Sequence, residues 1–357
     1  MFVMLPSIIN AKILMQPYLQ AVTQDSVCVM AECDSKNDVW VRYGESVSYT
    51  AKAKTGLVRS TTDNSFVHRI FIKGLKPGMV YHYSALQDNM NWSEDRTFKT
   101  APLPGTAVRA AWMADFRTGV DIHDAIAKQV LALNPDVSIY GGDLCMDGKE
   151  YHYFKEEFFR PAELELISRV PFFNAVGNHE KWEKNTRAFL QASKSPSKSQ
   201  SYYSFDYGVL HVLVLDNYDP DGYGPGTPQY DFAVRDAKQA KAPWKIVASH
   251  NPTYSGDVKH GNDPEMIELA EKAFEPAGFN LALAGHAHIY QHNNDGKMDF
   301  FVIGSVGAPI YPPNILPMSI KSAGTYCYAV IDADAKSLTL NSYNEKGELI
   351  ENFTLHK

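Results

Sequence analysis

The chain has 357 residues and a formal net charge of −7, and hydrophobic and charged residues make up 45% and 21% of it. These values are typical of a globular protein with room for two domains, and they disfavour a nucleic acid polymer as partner, because such binding neutralises phosphates with Lys and Arg. No window is apolar over the roughly 18 residues that a membrane span requires.

The first residues, MFVMLPSIINA, are mostly apolar and end in small residues, with no positively charged segment before them. An export signal has such an apolar region ahead of its cleavage site. Residues 1–14 are therefore interpreted either as the remnant of a signal peptide, which predicts a periplasmic or secreted protein, or as an N-terminal strand. The four cysteines show neither zinc-finger spacing nor a disulfide framework, so they do not decide the compartment.

Residues 15–100 predict an all-β domain. The segments SVCVMAEC, VWVRYG, SFVHRIFIKGL and VYHYSALQ are rich in Val, Ile, Tyr and Phe and are separated by turn-forming residues. Strands at this spacing favour an antiparallel sandwich. The Pro-Gly turn before Tyr81 and Tyr83 resembles the tyrosine corner of a fibronectin type III domain. The connector KTAPLPGTAV, Lys99 to Val108, predicts a domain boundary near residue 100.

Residues 101–357 predict an α/β domain. Buried strands such as VRAAWM, DVSIY, VLHVLVL, WKIVAS and NLALA alternate with helical segments such as HDAIAKQVLALN, YHYFKEEFFR, DFAVRDAKQA and PEMIELAEKAFEPA. This alternation favours βαβ units with mostly parallel strands. After MDFFVIGS the chain returns to strands joined by hairpin turns.

Polar side chains follow the ends of five of these strands. They are Asp115; Asp143; Asn178, His179 and Glu180; His250; and His286 with His288. Ligands of open α/β sheets bind at the carboxyl ends of the strands, so we expect these side chains to converge. Carboxylates, imidazoles and an amide, without a thiolate, suit Mn, Fe or Zn, and they outnumber the ligands of one tetrahedral zinc. The set therefore predicts a centre of two divalent or trivalent ions.

The blocks ADFRTG, GGDLCMDG, GNHE, VASH and GHAH, taken in this order, resemble the metallophosphoesterase (calcineurin-like) superfamily. The match runs from about residue 108 to 345. Together with the β domain in front, the chain is most similar to the purple acid phosphatases, which implies an αββα sandwich over residues 101–357. The resemblance implies a first ion held by Asp115, Asp143 and His288. It implies a second ion, bridged by Asp143, that is completed by Asn178, His250 and His286.

The resemblance also implies roles for residues that do not bind metal. His179 lies beside the leaving group as a proton donor, and Glu180 orients it. In HNPTYSGDVKH, His260 corresponds to a phosphate-binding histidine of the purple acid phosphatases. The alternative interpretation of His260 is an ordinary loop histidine.

Two positions depart from the family pattern. Met146 stands where purple acid phosphatases carry the tyrosine that gives their colour, so this protein is expected not to be purple. Arg117 stands where most other members carry a histidine ligand of the first ion, and a guanidinium has no lone pair to donate. Either water fills the place of the missing ligand, or the first ion binds weakly, or Arg117 takes over part of its charge and binds a phosphate oxygen. The alternative is an ion pair of Arg117 with Asp115 or Asp121.

The function predicted from these features is hydrolysis of phosphate monoesters by a metal-activated hydroxide. One alternative is a phosphodiesterase acting on nucleotide-like or phospholipid-like esters, with the aromatic loop NYDPDGYGPGTPQY, Asn217 to Tyr230, shaping the pocket. The other is a binding protein with a degenerate metal site, which Arg117 and Met146 keep open. The expected partners are a small phosphate ester and, for a homodimer, a second copy of the chain.

Overall fold

A computed structural model of the chain describes residues 10–88, 90–191 and 200–357. Most of the apolar run predicted as a signal remnant or strand, residues 1–9, lies outside the described residues. Within the part of the run that is described, Ile13 forms an isolated antiparallel bridge with Cys33. No helix of the described residues is both long and apolar enough to cross a bilayer.

The N-terminal region is a two-layered β domain, as expected. Its strands β1–β8 are Tyr18–Gln20, Ser26–Cys33, Trp40–Gly44, Ala51–Lys54, Leu57–Ser60, Phe66–Lys73, Val80–Ala85 and Arg96–Lys99. One layer has the order β1-β2-β6-β5 and the other β4-β3-β7-β8. The backbone N–H of Lys76 donates to the hydroxyl of Tyr81 at 3.0 Å, which is the geometry of a tyrosine corner.

In the described part of the C-terminal region, thirteen strands belong to two sheets. Strands β9–β21 are Val108–Met113, Val137–Tyr140, Phe172–Asn174, Tyr203–Tyr207, Leu210–Val214, Trp244–Ser249, Leu281–Ala284, Tyr290–Asn294, Asp299–Ile303, Ser319–Ala323, Cys327–Ala333, Ser337–Asn344 and Leu349–His356. One sheet has the order β12-β13-β14-β15-β17-β16-β18, and its four central strands β13, β14, β15 and β17 are parallel. In the other sheet β9, β10 and β11 are parallel.

Helices cover the outer faces of the two sheets. Helices α1–α6 are Val120–Ala132, Tyr151–Tyr153, Pro161–Ile167, Lys184–Phe189, Pro228–Gln239 and Pro264–Leu269. Ile126 and Leu166 pack with Tyr140 on one sheet, whereas Ala233 and Met266 pack on the other. The inner faces of both sheets share one apolar core, so the layers follow the expected αββα order. Proline at the first helical position starts α3, α5 and α6.

The segment YHYFKEEFFR is not one continuous helix. The short α2 passes into a π-helical turn, Phe154–Phe158, and α3 starts only at Pro161. A second π-helical turn, Ala270–Phe274, follows α6. Strand β16 was not expected from the sequence, because its buried Gln291, His292 and Asn293 break any apolar pattern.

The sheet that carries β9–β11 continues into the N-terminal region. Its order is β21-β20-β19-β9-β10-β11-β1-β2-β6-β5, with β1 paired in parallel to β11 at Gln20 and Phe172. The connector between β8 and β9 contains residue 100, and we propose that the boundary between the two domains lies there. Hydrogen bonding across the sheet does not stop there.

Candidate metal centre

Polar residues just past five strand ends converge on one site, as the sequence predicts. Asp115, Asp143 and Asn178 follow β9, β10 and β11 of one sheet. His250 follows β14 of the other sheet, and His286 and His288 follow β15. The site therefore lies where the carboxyl ends of both sheets meet, and each sheet supplies part of the donor set.

Donor atoms of three residues lie close to Nε2 of His250. Nε2 of His250 lies 3.1 Å from Oδ1 of Asn178, 3.3 Å from Oδ1 of Asp143 and 3.2 Å from Nδ1 of His286. Ligand atoms bound to one ion at the usual distance of about 2.1 Å are about 3.0–3.4 Å apart. We call these four residues the second set. Their mixture of carboxylate, amide and imidazole suits a divalent or trivalent ion, and the distances to Nε2 of His250 are those of ligands that share one.

A backbone contact of His250 and the burial of His286 leave both imidazoles of the second set with a lone pair for a metal ion. Nδ1 of His250 donates to the carbonyl of Gly141 at 2.6 Å, which leaves the lone pair of Nε2 directed at the site. Burial, together with the nearby His250 and His260, lowers the pKa of His286 to about 2. His286 is therefore neutral over the physiological range.

The predicted ligands of the first ion also meet. Donor atoms of Asp115, Asp143 and His288, here called the first set, all lie within 4.8 Å of one another. The backbone N–H of His286 donates to Asp115 Oδ2 at 2.9 Å, which ties the two sets together.

Arg117 lies inside the first set. Its Nη2 is 3.3 Å from Nε2 of His288, and its Nε is 3.4 Å from Oδ2 of Asp143. The ion pair expected with Asp115 or Asp121 is thus replaced by one with Asp143. The guanidinium thus contacts two of the three donors of the first set, atoms that an ion at that position would also need.

Three residues of the centre have left-handed backbones. Asp115, Asp143 and His286 have φ angles of 58°, 54° and 66°. Non-glycine residues adopt this region at a cost of order 1–3 kcal/mol each, and such residues cluster at functional sites. A Cβ on Gly285 would lie 2.5 Å from Oδ2 of Asp115, so glycine is needed there for space.

His179 lies at the edge of the centre with a quarter of its side chain exposed. Its Nδ1 donates to the carbonyl of Met146 at 2.6 Å, and its Nε2 lies 3.8 Å from Oδ2 of Asp143. Met146 thus contributes a backbone oxygen to the site. Its side chain has no group that replaces a tyrosine phenolate.

Glu180 has contacts other than the ones expected. Its carboxylate accepts from the backbone N–H groups of Gly177, Asp143 and Leu144 at 2.8, 3.1 and 3.3 Å. Burial and the neighbouring Asp143 raise its pKa well above the usual range. These contacts correct the expectation that Glu180 orients the ring of His179, since the Met146 carbonyl holds that ring. Glu180 instead fixes the loops that carry Asp143 and Asn178.

Three loops form a rim beside the centre. The ring of His260 lies 4.0 Å from that of His286, and Tyr311 stacks on His288 at 4.5 Å. Lys259 Nζ lies 3.3 Å from the hydroxyl of Tyr311. From the loop Asn217–Tyr230, Tyr218 lies with its ring 6.0 Å from that of His250. Tyr218 belongs to the aromatic loop that the sequence analysis named, whereas Tyr311 was not predicted, because a lone loop tyrosine gives no sequence signal.

Glu157 is a further residue that sequence reasoning missed. It is 7% exposed, and its two oxygens accept from the backbone N–H groups of Thr118 at 3.1 Å and Met146 at 2.5 Å. It thereby joins the loop that follows β9 to the loop that follows β10. The signal in the sequence is the pair Glu156 and Glu157 inside an aromatic segment. Which of the two is buried depends on the π-helical turn, and the structure buries Glu157.

Comparisons with known proteins agree with this arrangement. A family described as calcineurin-like phosphoesterase matches residues 114–290, and one described as purple acid phosphatase, N-terminal domain, matches residues 15–100. Probable purple acid phosphatase 20 and purple acid phosphatase 21 of Arabidopsis thaliana are each 27% identical, over 66% and 77% of this chain. Probable inactive purple acid phosphatase 9 of the same plant is 24% identical over 87% of it.

The chain spans 57%, 65% and 59% of the lengths of these three relatives. Among solved structures, purple acid phosphatase PPD1 from yellow lupin (Lupinus luteus) seeds has a TM-score of 0.84 at 19% identity, covering 96% of this chain and 74% of that one. A structure of PhoD has a TM-score of 0.73 at 12% identity, covering 96% and 92%. At these identities the likeness establishes the fold.

Proposed function

Because the chain belongs to the calcineurin-like metallophosphoesterases, with a purple acid phosphatase N-terminal domain, we propose that it hydrolyses phosphate monoesters. The observation that carries the proposal is the spacing of the second set, whose donor atoms lie 3.1–3.3 Å from Nε2 of His250. A bound ion would supply an activated water and polarise a phosphoryl oxygen.

The residues around the second set have distinct tasks in this proposal. His179, with Nδ1 fixed and Nε2 directed into the site, donates a proton to the leaving alcohol. His260, beside His286, binds a phosphoryl oxygen. Arg117 uses its remaining N–H donors for the same group, because guanidinium matches a phosphate with two parallel hydrogen bonds.

Charge favours a monoester over a diester. Arg117 and Lys259 place positive charge at the centre and at its rim. A dianionic monoester gains more from each of these charges than a monoanionic diester does. The diesterase and the non-catalytic protein remain as outcomes of the test, the latter because some relatives are named inactive.

The test compares turnover of p-nitrophenyl phosphate and bis(p-nitrophenyl) phosphate from pH 4 to 9, after loading with Zn, Mn or Fe. We expect faster turnover of the monoester at every pH and loss of turnover in His250→Ala. The control is His152→Ala, at an exposed histidine outside the site. Preference for the diester would replace the proposal, and metal-bound protein without turnover would identify a binding protein.

Two further properties are proposed from the sequence. The protein acts in the periplasm or outside the cell, which the apolar N-terminal run supports. It has no visible charge-transfer band, because Met146 replaces the tyrosine phenolate. An absorption spectrum of the iron-loaded protein tests the second property, and a purple band would contradict it.

A further inference from the structure

We propose that the guanidinium of Arg117 replaces the first metal ion, so that the protein binds a single ion. That ion lies in the second set, formed by Asp143, Asn178, His250 and His286. The inference rests on the proposed function only in that both require an ion in the second set.

Two of the three donors in the first set already bind Arg117. Nδ1 of His288 donates to the carbonyl of Pro309 at 2.6 Å, so Nε2 carries the lone pair. That lone pair accepts from Arg117 Nη2 at 3.3 Å. Oδ2 of Asp143 accepts from Arg117 Nε at 3.4 Å. A first ion would need these same two atoms, so the ion and the guanidinium compete for one position.

Hydrogen bonds fix the backbone on both sides of Arg117. The N–H of Phe116 donates to the carbonyl of Asp143 at 2.9 Å, and the N–H of Thr118 donates to buried Glu157. Gly119 donates to the carbonyl of Gly307 at 3.0 Å, and a Cβ on Gly119 would lie 2.3 Å from that oxygen. The side chain of Arg117 itself is 11% exposed. These contacts fix the position from which the side chain of Arg117 extends to His288 and Asp143.

The charges around the first set also favour Arg117 over a metal ion. Asp115 and Asp143 are both buried. The guanidinium of Arg117 places a positive charge where the first ion would lie. A second cation at that position would face the guanidinium at short range, where like charges repel strongly. Arg117 therefore supplies the charge of the first ion but cannot activate a water, which leaves that task to the second set.

The first experiment counts ions. Purified protein is incubated with excess Zn²⁺ or Mn²⁺, passed through gel filtration and analysed by inductively coupled plasma mass spectrometry. We expect about one equivalent for the wild-type chain. We expect two for Arg117→His, because the substitution removes the competing charge, frees His288 and Asp143 and adds an imidazole. Arg160→His is the matched control, at an arginine paired with Asp124, and should keep one equivalent.

A second pair of variants keeps the inference testable if Arg117→His does not fold. His288→Ala should keep one equivalent, because His288 binds Arg117 and no ion. His250→Ala should fall to zero, because His250 is central to the second set. Circular dichroism establishes that each variant is folded before its ions are counted.

The outcomes separate this inference from the proposed function. Two equivalents in wild type, loss of an ion in His288→Ala, or a single equivalent in folded Arg117→His would each overturn the inference and leave phosphate ester hydrolysis intact. One equivalent without turnover of either ester would support the inference and overturn the proposed function. No bound ion in wild type would overturn both.

Discussion

At the scale of single residues, His179 has one ring nitrogen fixed and the other directed at the centre. We expect His179→Ala to lower kcat by about 10²–10⁴, the usual loss when a general acid is removed. Metal content should stay unchanged, because the side chain is not among the four donors of the second set. Steady-state kinetics and metal analysis of the same preparation check both statements.

His152→Ala serves again as the control, because His152 is exposed and lies outside the site. Rescue by the leaving group provides a second readout. The loss of activity in His179→Ala should be smaller for an ester whose leaving alcohol needs no proton than for an alkyl ester. Equal losses for both esters, or loss of bound metal, would assign His179 a structural task.

The convergence of the polar residues at the strand ends could be predicted from the sequence, because the carboxyl ends of parallel strands lie at the same edge of a sheet. The partner of Arg117 could not. The sequence offers the nearby Asp115 and Asp121, whereas the partners in the structure, Asp143 and His288, are brought to Arg117 only by the fold. Glu180 was predicted at the site, but its contacts with backbone N–H groups follow from a fold that local spacing does not describe.

At the scale of elements, His211 links a hairpin to a helix. It lies in β13, and its two ring nitrogens contact Asp206 of β12 and Asp236 of α5, both at 2.8 Å. Burial lowers the pKa of His211, but the hydrogen bonds to the two carboxylates outweigh it and raise the pKa to about 9. The protonated ring therefore stabilises the folded state.

The pH dependence follows from the direction of that shift. A pKa raised from 6.5 to about 9 gives stability that is complete below pH 6.5 and is lost as pH rises through about 9. After allowance for the exposed Asp206, the loss is about 2 kcal/mol. Urea unfolding from pH 6 to 10 should show this loss in wild type but not in His211→Gln. Parallel curves for the two proteins would contradict it, and exposed His356→Gln should follow wild type.

Strands with a clear run of apolar residues could be predicted from the sequence, whereas a buried strand of polar residues could not. Strands β13, β14 and β15 are buried almost throughout and were expected. Strand β16 was missed because Gln291 and His292 satisfy their buried polar groups by contacts from other segments, Gly256 and Asp299 among them. Such contacts are long-range, and no local pattern records them.

At the scale of the whole molecule, the N-terminal domain holds the segment that follows GNHE. Arg69 donates to the carbonyls of Arg187 and Leu190 at 2.8 and 2.9 Å, at the end of α4. The buried Tyr83 donates to the carbonyl of Ser168 at 2.7 Å. With β1 paired to β11, these contacts make the two domains one unit of the fold.

We therefore expect one cooperative thermal transition in calorimetry. Tyr83→Phe removes a buried hydrogen bond and should cost about 1–2 kcal/mol, which lowers Tm by roughly 1–3 °C for a chain of this size. Tyr81→Phe, which removes the bond from Lys76 inside the N-terminal domain, should shift the same transition by a similar amount. Two resolved transitions, with only one of them shifted, would show that the domains unfold separately.

The shared sheet limits how such proteins can be recombined. A chimera cut at the connector near residue 100 keeps both amino-acid sequences whole, yet it replaces the neighbour of β11 and the donors that reach α4. An exchanged N-terminal domain must therefore reproduce the pairing of Gln20 with Phe172 and the hydrogen bonds of Arg69. A compatible donor domain is identified by these contacts more than by its overall sequence identity.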